Sequence, residues 1–157
     1  MDLQKEDCYL NGKAFSVPDN ANSGASMDRN SLFDFARERW GVEPDCPFAD
    51  YPEAAVLRHA DSGKWFALVM PVKAEKLGLA ERARGEEVDV VNLKLQPPLV
   101  TMMLEKEGAF PAYHMNRKHW ISVVLGSAFP EGELLELLEL SFRLTRKKRK
   151  ALGKDES

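Results

Sequence analysis

"AVLRHADSGKWFALVM", residues 55–70, decides the fold class. Two apolar runs, Ala55 to His59 and Lys64 to Met70, flank the turn-forming Ala60-Asp61-Ser62-Gly63, the pattern of a β-hairpin. Alternation predicts Val69, Ala67 and Trp65 on one face and Met70, Leu68, Phe66 and Lys64 on the other. Two further extended runs follow, Val88 to Leu95 and the β-branched Trp120 to Leu125. Helical spacing flanks and separates these runs. Leu32, Phe33, Phe35, Ala36 and Trp40 repeat behind a capping Asp28 or Asn30 until Gly41 stops them. Pro97 and Pro98 open a short helix through Met103, which Gly108 ends. A last helix runs from Glu131 to about Lys150, with Leu134, Leu137, Leu138, Ser141 and Phe142 as its apolar stripe. Strands collected between an opening and a closing helix imply an α+β fold: a twisted antiparallel sheet with helices packed on one face.

The 157 residues, 44% of them hydrophobic, suit one domain with a real core. Three turn-forming clusters, Asn11-Gly12, Pro18-Asp19-Asn20 and Asn22-Ser23-Gly24, mark residues 1–27 as an extension, a hairpin or a mobile arm. The domain then spans 28–150, with 151–157 a disordered tail. A formal net charge of -3 is unlike the basic balance of a dedicated nucleic-acid binder. The charge is unevenly spread: twelve basic and seventeen acidic residues lie in 1–100, and ten basic and eight acidic after it. Cys8 and Cys46 are too few and too scattered for a disulfide framework and read as reduced thiols. No run approaches the roughly 18 apolar residues of a membrane span, so no membrane partner and a cytoplasmic location are expected.

Three groups of residues could carry function. "PAYHMNRKHW", residues 111–120, combines rings that can stack on bases, Tyr113 and His114, with Asn116, Arg117 and Lys118 as donors to phosphates. Alternatively His114, Met115, Asn116 and Trp120 fix the entry to a strand, while Arg117 and Lys118 face water. Lys64 and Lys94 interrupt apolar strands and could form, with Arg58 and Lys73, a basic surface, or they could snorkel and shield an edge. Arg143, Arg146, Lys147, Lys148, Arg149 and Lys150 place six cations in eight residues at a helix C-terminus. The macrodipole favours cations there, and phosphates would too. Arg82 and Arg84 sit in a loop of mixed charge and read as solvated, and Trp65, Phe66 and Leu68 read as packing.

Metal and nucleophile chemistry find no support. Zinc needs three or four ligands at suitable separations, whereas His114 and His119 are five apart in an expected turn and His59 is remote. Ser122 and Ser141 fall in a strand and a helix with no base or orienting group in sequence reach. No metal and no other cofactor is expected.

The blocks "PDCPFAD", "GKWFALVMPV", "VNLKLQPP", "PAYHMNRKHWISVVL" and "LLELLELSFRLTRKK" resemble, in order, those of the MmcQ/YjbR family. The resemblance covers roughly residues 28–148, and the stretch from His114 to Trp120 is its most specific part. It implies a frataxin/CyaY-like fold and a proposed "double wing" mode of DNA binding. The expectation is therefore a small cytoplasmic, non-enzymatic protein that contacts duplex DNA mainly through its phosphate backbone. The competing expectation is an adaptor for a protein partner or small ligand, using the sheet and the proline-rich loop 44–52 with no nucleic-acid role. A third, an enzyme built around His114 and His119, stands behind both.

Overall fold

The computed structural model describes residues 27–79, 85–113 and 115–146. Asp28 is extended, and its carboxylate accepts from the Ser31 N–H at 2.9 Å, which starts helix α1 (Arg29–Trp40). Gly41, at φ 69°, ends it by donating to the Arg37 carbonyl at 2.9 Å, in a left-handed conformation that glycine adopts without a Cβ clash.

Five strands follow: β1 (Ala55–Arg58), β2 (Trp65–Lys73), β3 (Glu87–Lys94), β4 (Ala109–Pro111) and β5 (Trp120–Val124). A 3-10 turn, Ala74–Leu77, follows β2, and helices α2 (Pro97–Met103) and α3 (Glu131–Thr145) complete the order. The sheet runs β1-β2-β3-β5-β4 with every neighbouring pair antiparallel, which is the α+β architecture expected. Sequence periodicity does not reveal β4, because three residues are too few to alternate.

Both faces of the sheet are apolar. Leu32, Phe33 and Ala36 of α1, Val100 and Met103 of α2, and Leu134, Leu137 and Leu138 of α3 pack on one face against Leu57, Val69, Val91, Leu93 and Ile121. Met27 joins this core at 5% exposure. A second cluster, including Val56, Leu68, Met70, Val88, Val90 and Val124, lies on the face away from these helices. Loops close over it, placing Phe48, Tyr113 and Met115 against it. A strand buried on both faces reads as continuous apolar sequence, which is why Val88 to Leu95 gives no clean alternation.

The expected facing of the hairpin fails at one point. Register slips between Leu57, opposite Ala67, and Arg58, opposite Trp65, so Phe66 is an extra residue on β2. Phe66 consequently joins Ala67 on the helix side, and Trp65 moves to the face of Leu68. Ser141 of α3 serves the backbone exposed at this bulge: its hydroxyl donates to Phe66 O at 2.7 Å and accepts from Lys94 N at 2.9 Å.

A buried ion pair fastens the opposite end. Arg29, 2% exposed, donates from Nε and Nη2 to the two Asp89 carboxylate oxygens at 2.7 and 2.6 Å, and from Nη1 to Glu53 O at 2.8 Å. One guanidinium thus joins α1, β3 and the loop before β1 with bidentate geometry.

Cys46 departs from the expected reduced thiol: it is disulfide-bonded and 4% exposed. Spacing in sequence does not report which cysteines a fold brings together, so thiol chemistry lends no support to a cytoplasmic location. Cys8, the chain's other cysteine, lies outside the described residues. Among the described residues no helix is long and apolar enough to cross a membrane.

Candidate functional site

Antiparallel pairing decides which candidate residues meet. β1 and β3 run toward one end of the sheet, and β2 and β5 run away from it, so Arg58, Lys64, Lys94 and the segment before Trp120 converge there. Backbone bonds tie this end together: His59 N donates to Lys64 O at 2.9 Å and Leu95 N to His119 O at 2.8 Å. The last turn of α3 is held at the same place by Ser141 and by Thr145, whose Oγ1 lies 2.9 Å from His59 Nε2. Residues far apart in sequence, Lys64, Lys94, Arg117, Lys118, Arg143 and Arg146, therefore border one end of the molecule. Lys64, Arg117, Lys118, Arg143 and Arg146 are exposed and Lys94 is half-buried.

Acidic groups moderate this cluster without reversing it. Arg58 pairs with Asp45, Arg143 lies 3.9 Å from Glu139, which also pairs with Arg39, and Asp61 sits in the hairpin turn. His114, Lys147, Lys148 and Arg149, named with these residues from the sequence, lie outside the described residues, as do Arg82, Arg84 and Lys150.

The segment before Trp120 is built chiefly by backbone bonds. Asn116 Oδ1 accepts from Lys118 N at 2.8 Å and His119 N at 3.2 Å, closing a side-chain-capped turn. Trp120 N donates to Asn116 O at 2.9 Å, and Arg117 Nε to Ala112 O at 3.4 Å. Tyr113 N donates to Ser122 Oγ at 3.1 Å, Ser122 Oγ donates to Asn92 Oδ1, and Asn92 Nδ2 donates to Leu68 O at 3.2 Å. This buried polar chain staples the loop across three strands. Ser122 is thereby a structural hydroxyl, and Tyr113 and Asn116 have structural work beside any contact they make.

The stapled loop also walls a groove. Phe48, Tyr51, Ala54, Trp65, Leu68, Met70 and Met115 line a cavity of about 250 Å³ on the face away from the helices. Phe48 meets Trp65 edge-to-face, 5.7 Å between centroids, and Tyr51 is 64% exposed. Sequence reasoning does not find this groove. Its one signal is Phe48 and Tyr51 between the prolines of loop 44–52, whose contact with Met115 only the fold reveals.

His59 is likewise more than remote. Its ring lies 4.3 Å from Phe142 and 5.1 Å from Phe66, centroid to centroid, at 4% exposure. Thr145 Oγ1 donates to Ser141 O at 2.8 Å and lies 2.9 Å from His59 Nε2, which ties the ring to the last turn of α3. Burial holds the imidazole below its ordinary value of 6.5; Asp61 pulls it up, while Arg146 and Lys64 add to the downward push. The folded state thus binds the proton less readily than the unfolded chain. Stability from this group is fully present above pH 6.5 and falls as pH drops toward the depressed folded value. His59→Phe, measured by thermal unfolding at about pH 7.5 and 5.5, is expected to lose less stability on acidification than wild type. An equal loss would place the acid sensitivity elsewhere.

Among the described residues no group of three or more His, Cys, Asp and Glu side chains is arranged to hold a metal ion.

Comparison with known proteins supplies the lineage. The YjbR family model matches residues 38–144. Uncharacterized protein YyaQ of Bacillus subtilis (strain 168) is 42% identical over 120 residues, covering 76% of this chain and 99% of its own. Uncharacterized protein YbdF of Escherichia coli O157:H7 is 33% identical over 123 residues, covering 75% of this chain and 87% of its own. A crystal structure of a Pseudomonas syringae protein superposes with a TM-score of 0.72 at 43% identity, covering 76% of this chain and all of that one. A Deinococcus radiodurans protein superposes at 0.59 with 25% identity, covering 84% of this chain and 92% of that one. None of these relatives carries an enzymatic name. With a family model spanning most of the domain and relatives matched almost end to end, the chain belongs to the YjbR family.

Proposed function

We propose that this YjbR-family chain acts by binding, holding DNA, duplex included, mainly through its phosphates at the basic end of the sheet. One observation carries the reading: sheet register and the docking of α3 gather Lys64, Lys94, Lys118, Arg143 and Arg146 from four separate segments. Phosphate contacts made by such a cluster supply affinity without reading sequence. Binding is favoured over catalysis because, among the described residues, two groups that could start hydrolytic chemistry are engaged elsewhere. Ser122 completes a buried hydrogen-bond chain, and His59 is wedged between aromatic rings.

Fluorescence anisotropy with a labelled duplex across a salt series tests this. Binding should be measurable at about 50 mM salt and weaken steeply as salt rises. Changing Lys64, Lys94, Arg143 and Arg146 to Ala should flatten the slope of log K against log salt by up to about 0.9 for each phosphate that is no longer neutralised. No binding at about 50 mM salt, where such interactions are strongest, would end the DNA reading. A protein-adaptor role would then gain, with Met102 and Leu140, 61% and 38% exposed on the helix layer, as its first suspects.

A further inference from the structure

The face away from the helices carries a second pattern at the same end. Arg58 is the direct cross-strand partner of Trp65, and Lys94 is the direct partner of Trp120. Direct partners share a face. Trp65 packs with the cluster on that face, and Trp120 alternates with Ile121, which belongs to the helix side, so both pairs lie on the face away from the helices. All four side chains are half-buried, with exposed Lys64 adjoining Trp65 in sequence. The end of this face is therefore laid out as two cation–aromatic pairs across the strands.

Trp65 also forms one wall of the groove lined by Phe48, Tyr51 and Met115. Aromatic rings beside cations are what unpaired bases require: each base offers a face for stacking while its phosphate takes a positive charge. A duplex keeps its bases stacked on each other and cannot fill such a groove. Apolar walls with a cationic border likewise match a planar base linked to an anionic backbone better than a neutral apolar ligand. Acidic groups also lie near this border: Asp45 pairs with Arg58, Asp61 sits in the hairpin turn, and Asp50 and Glu53 flank Tyr51 and Ala54 in sequence, so the cationic side of the groove is the one bordered by Lys64 and Lys94.

We propose that this face binds single-stranded DNA, with an unpaired base seated in the Phe48–Tyr51–Trp65–Met115 groove and neighbouring phosphates on Lys64 and Lys94. The inference rests on the DNA reading above and adds to it a site for bases.

The test uses the full chain and two fluorescein-labelled probes, a 20-nucleotide single strand of mixed sequence and its duplex, at one salt concentration. Tyr51→Ala is the principal variant, because Tyr51 is largely exposed and its removal leaves the core intact. Trp120→Leu is the second, checked for folding by thermal unfolding. The single strand should bind more tightly than the duplex and quench tryptophan fluorescence. Tyr51→Ala should weaken single-strand binding about fivefold or more, the loss expected when one stacked base is given up, and leave duplex binding unchanged. Equal binding of both probes, with neither variant changing the preference, would overturn the base site and leave the phosphate reading standing. Binding of neither probe would overturn both.

Discussion

Arg29→Met is expected to destabilise the fold by roughly 3–5 kcal/mol, the largest loss for any single substitution considered, because it strands Asp89 in a nearly buried site. The guanidinium is 2% exposed and Asp89 9%, with both carboxylate oxygens and the Glu53 carbonyl served by one side chain. Two outcomes separate the desolvated charge from the missing packing. If the stranded carboxylate dominates, Arg29→Met combined with Asp89→Leu should recover a large share of the loss in urea unfolding. If the double variant is as unstable as the single one, the guanidinium matters instead as the tie between α1, β3 and the loop before β1.

Ser122→Ala ranks second. Removing that hydroxyl takes away the acceptor of Tyr113 N–H and the donor to Asn92 in a site with 0% exposure at both Ser122 and Asn92. Loss of the buried partner of Asn92 costs about 1–3 kcal/mol and loss of the acceptor of the half-buried Tyr113 N–H about 1 kcal/mol, so a combined loss of about 2–4 kcal/mol is expected. The same change should speed amide exchange at Tyr113 and in the turn closed by Asn116, since the loop loses its staple to the sheet. Unchanged exchange there would mean that Met115 and the cluster beneath it suffice to hold the loop. Stability and the groove wall are coupled through this one hydroxyl.

Much of the architecture is legible in the sequence because its signals are local. The cap at Asp28, the stop at Gly41 and the stripe of Leu134, Leu137 and Leu138 need only neighbouring residues to be read. The hairpin is legible in position but not in facing. A bulge is set by cross-strand pairing, and Phe66 turns inward for a reason that lies in β1. In sequence Arg29 is one of several charges on a mixed helix, since its partner Asp89 stands 60 residues away. The basic residues can be identified one by one, and what the sequence lacks is their convergence, a product of strand register and of Ser141 meeting the bulge. Phe48 and Tyr51 stay hidden for the same reason: a groove between two loops has no period.

The most direct measurement is amide chemical-shift mapping of the isotope-labelled protein during titration with a short DNA duplex at low salt. Shifts are expected around Lys64, Lys94, Lys118 and Arg143 to Arg146, with little change at the far end, where Lys73 faces Glu87 and Arg29 holds Asp89. Shifts centred on that far end, or none while DNA is in excess, would contradict the assignment of DNA contact to the basic end of the sheet.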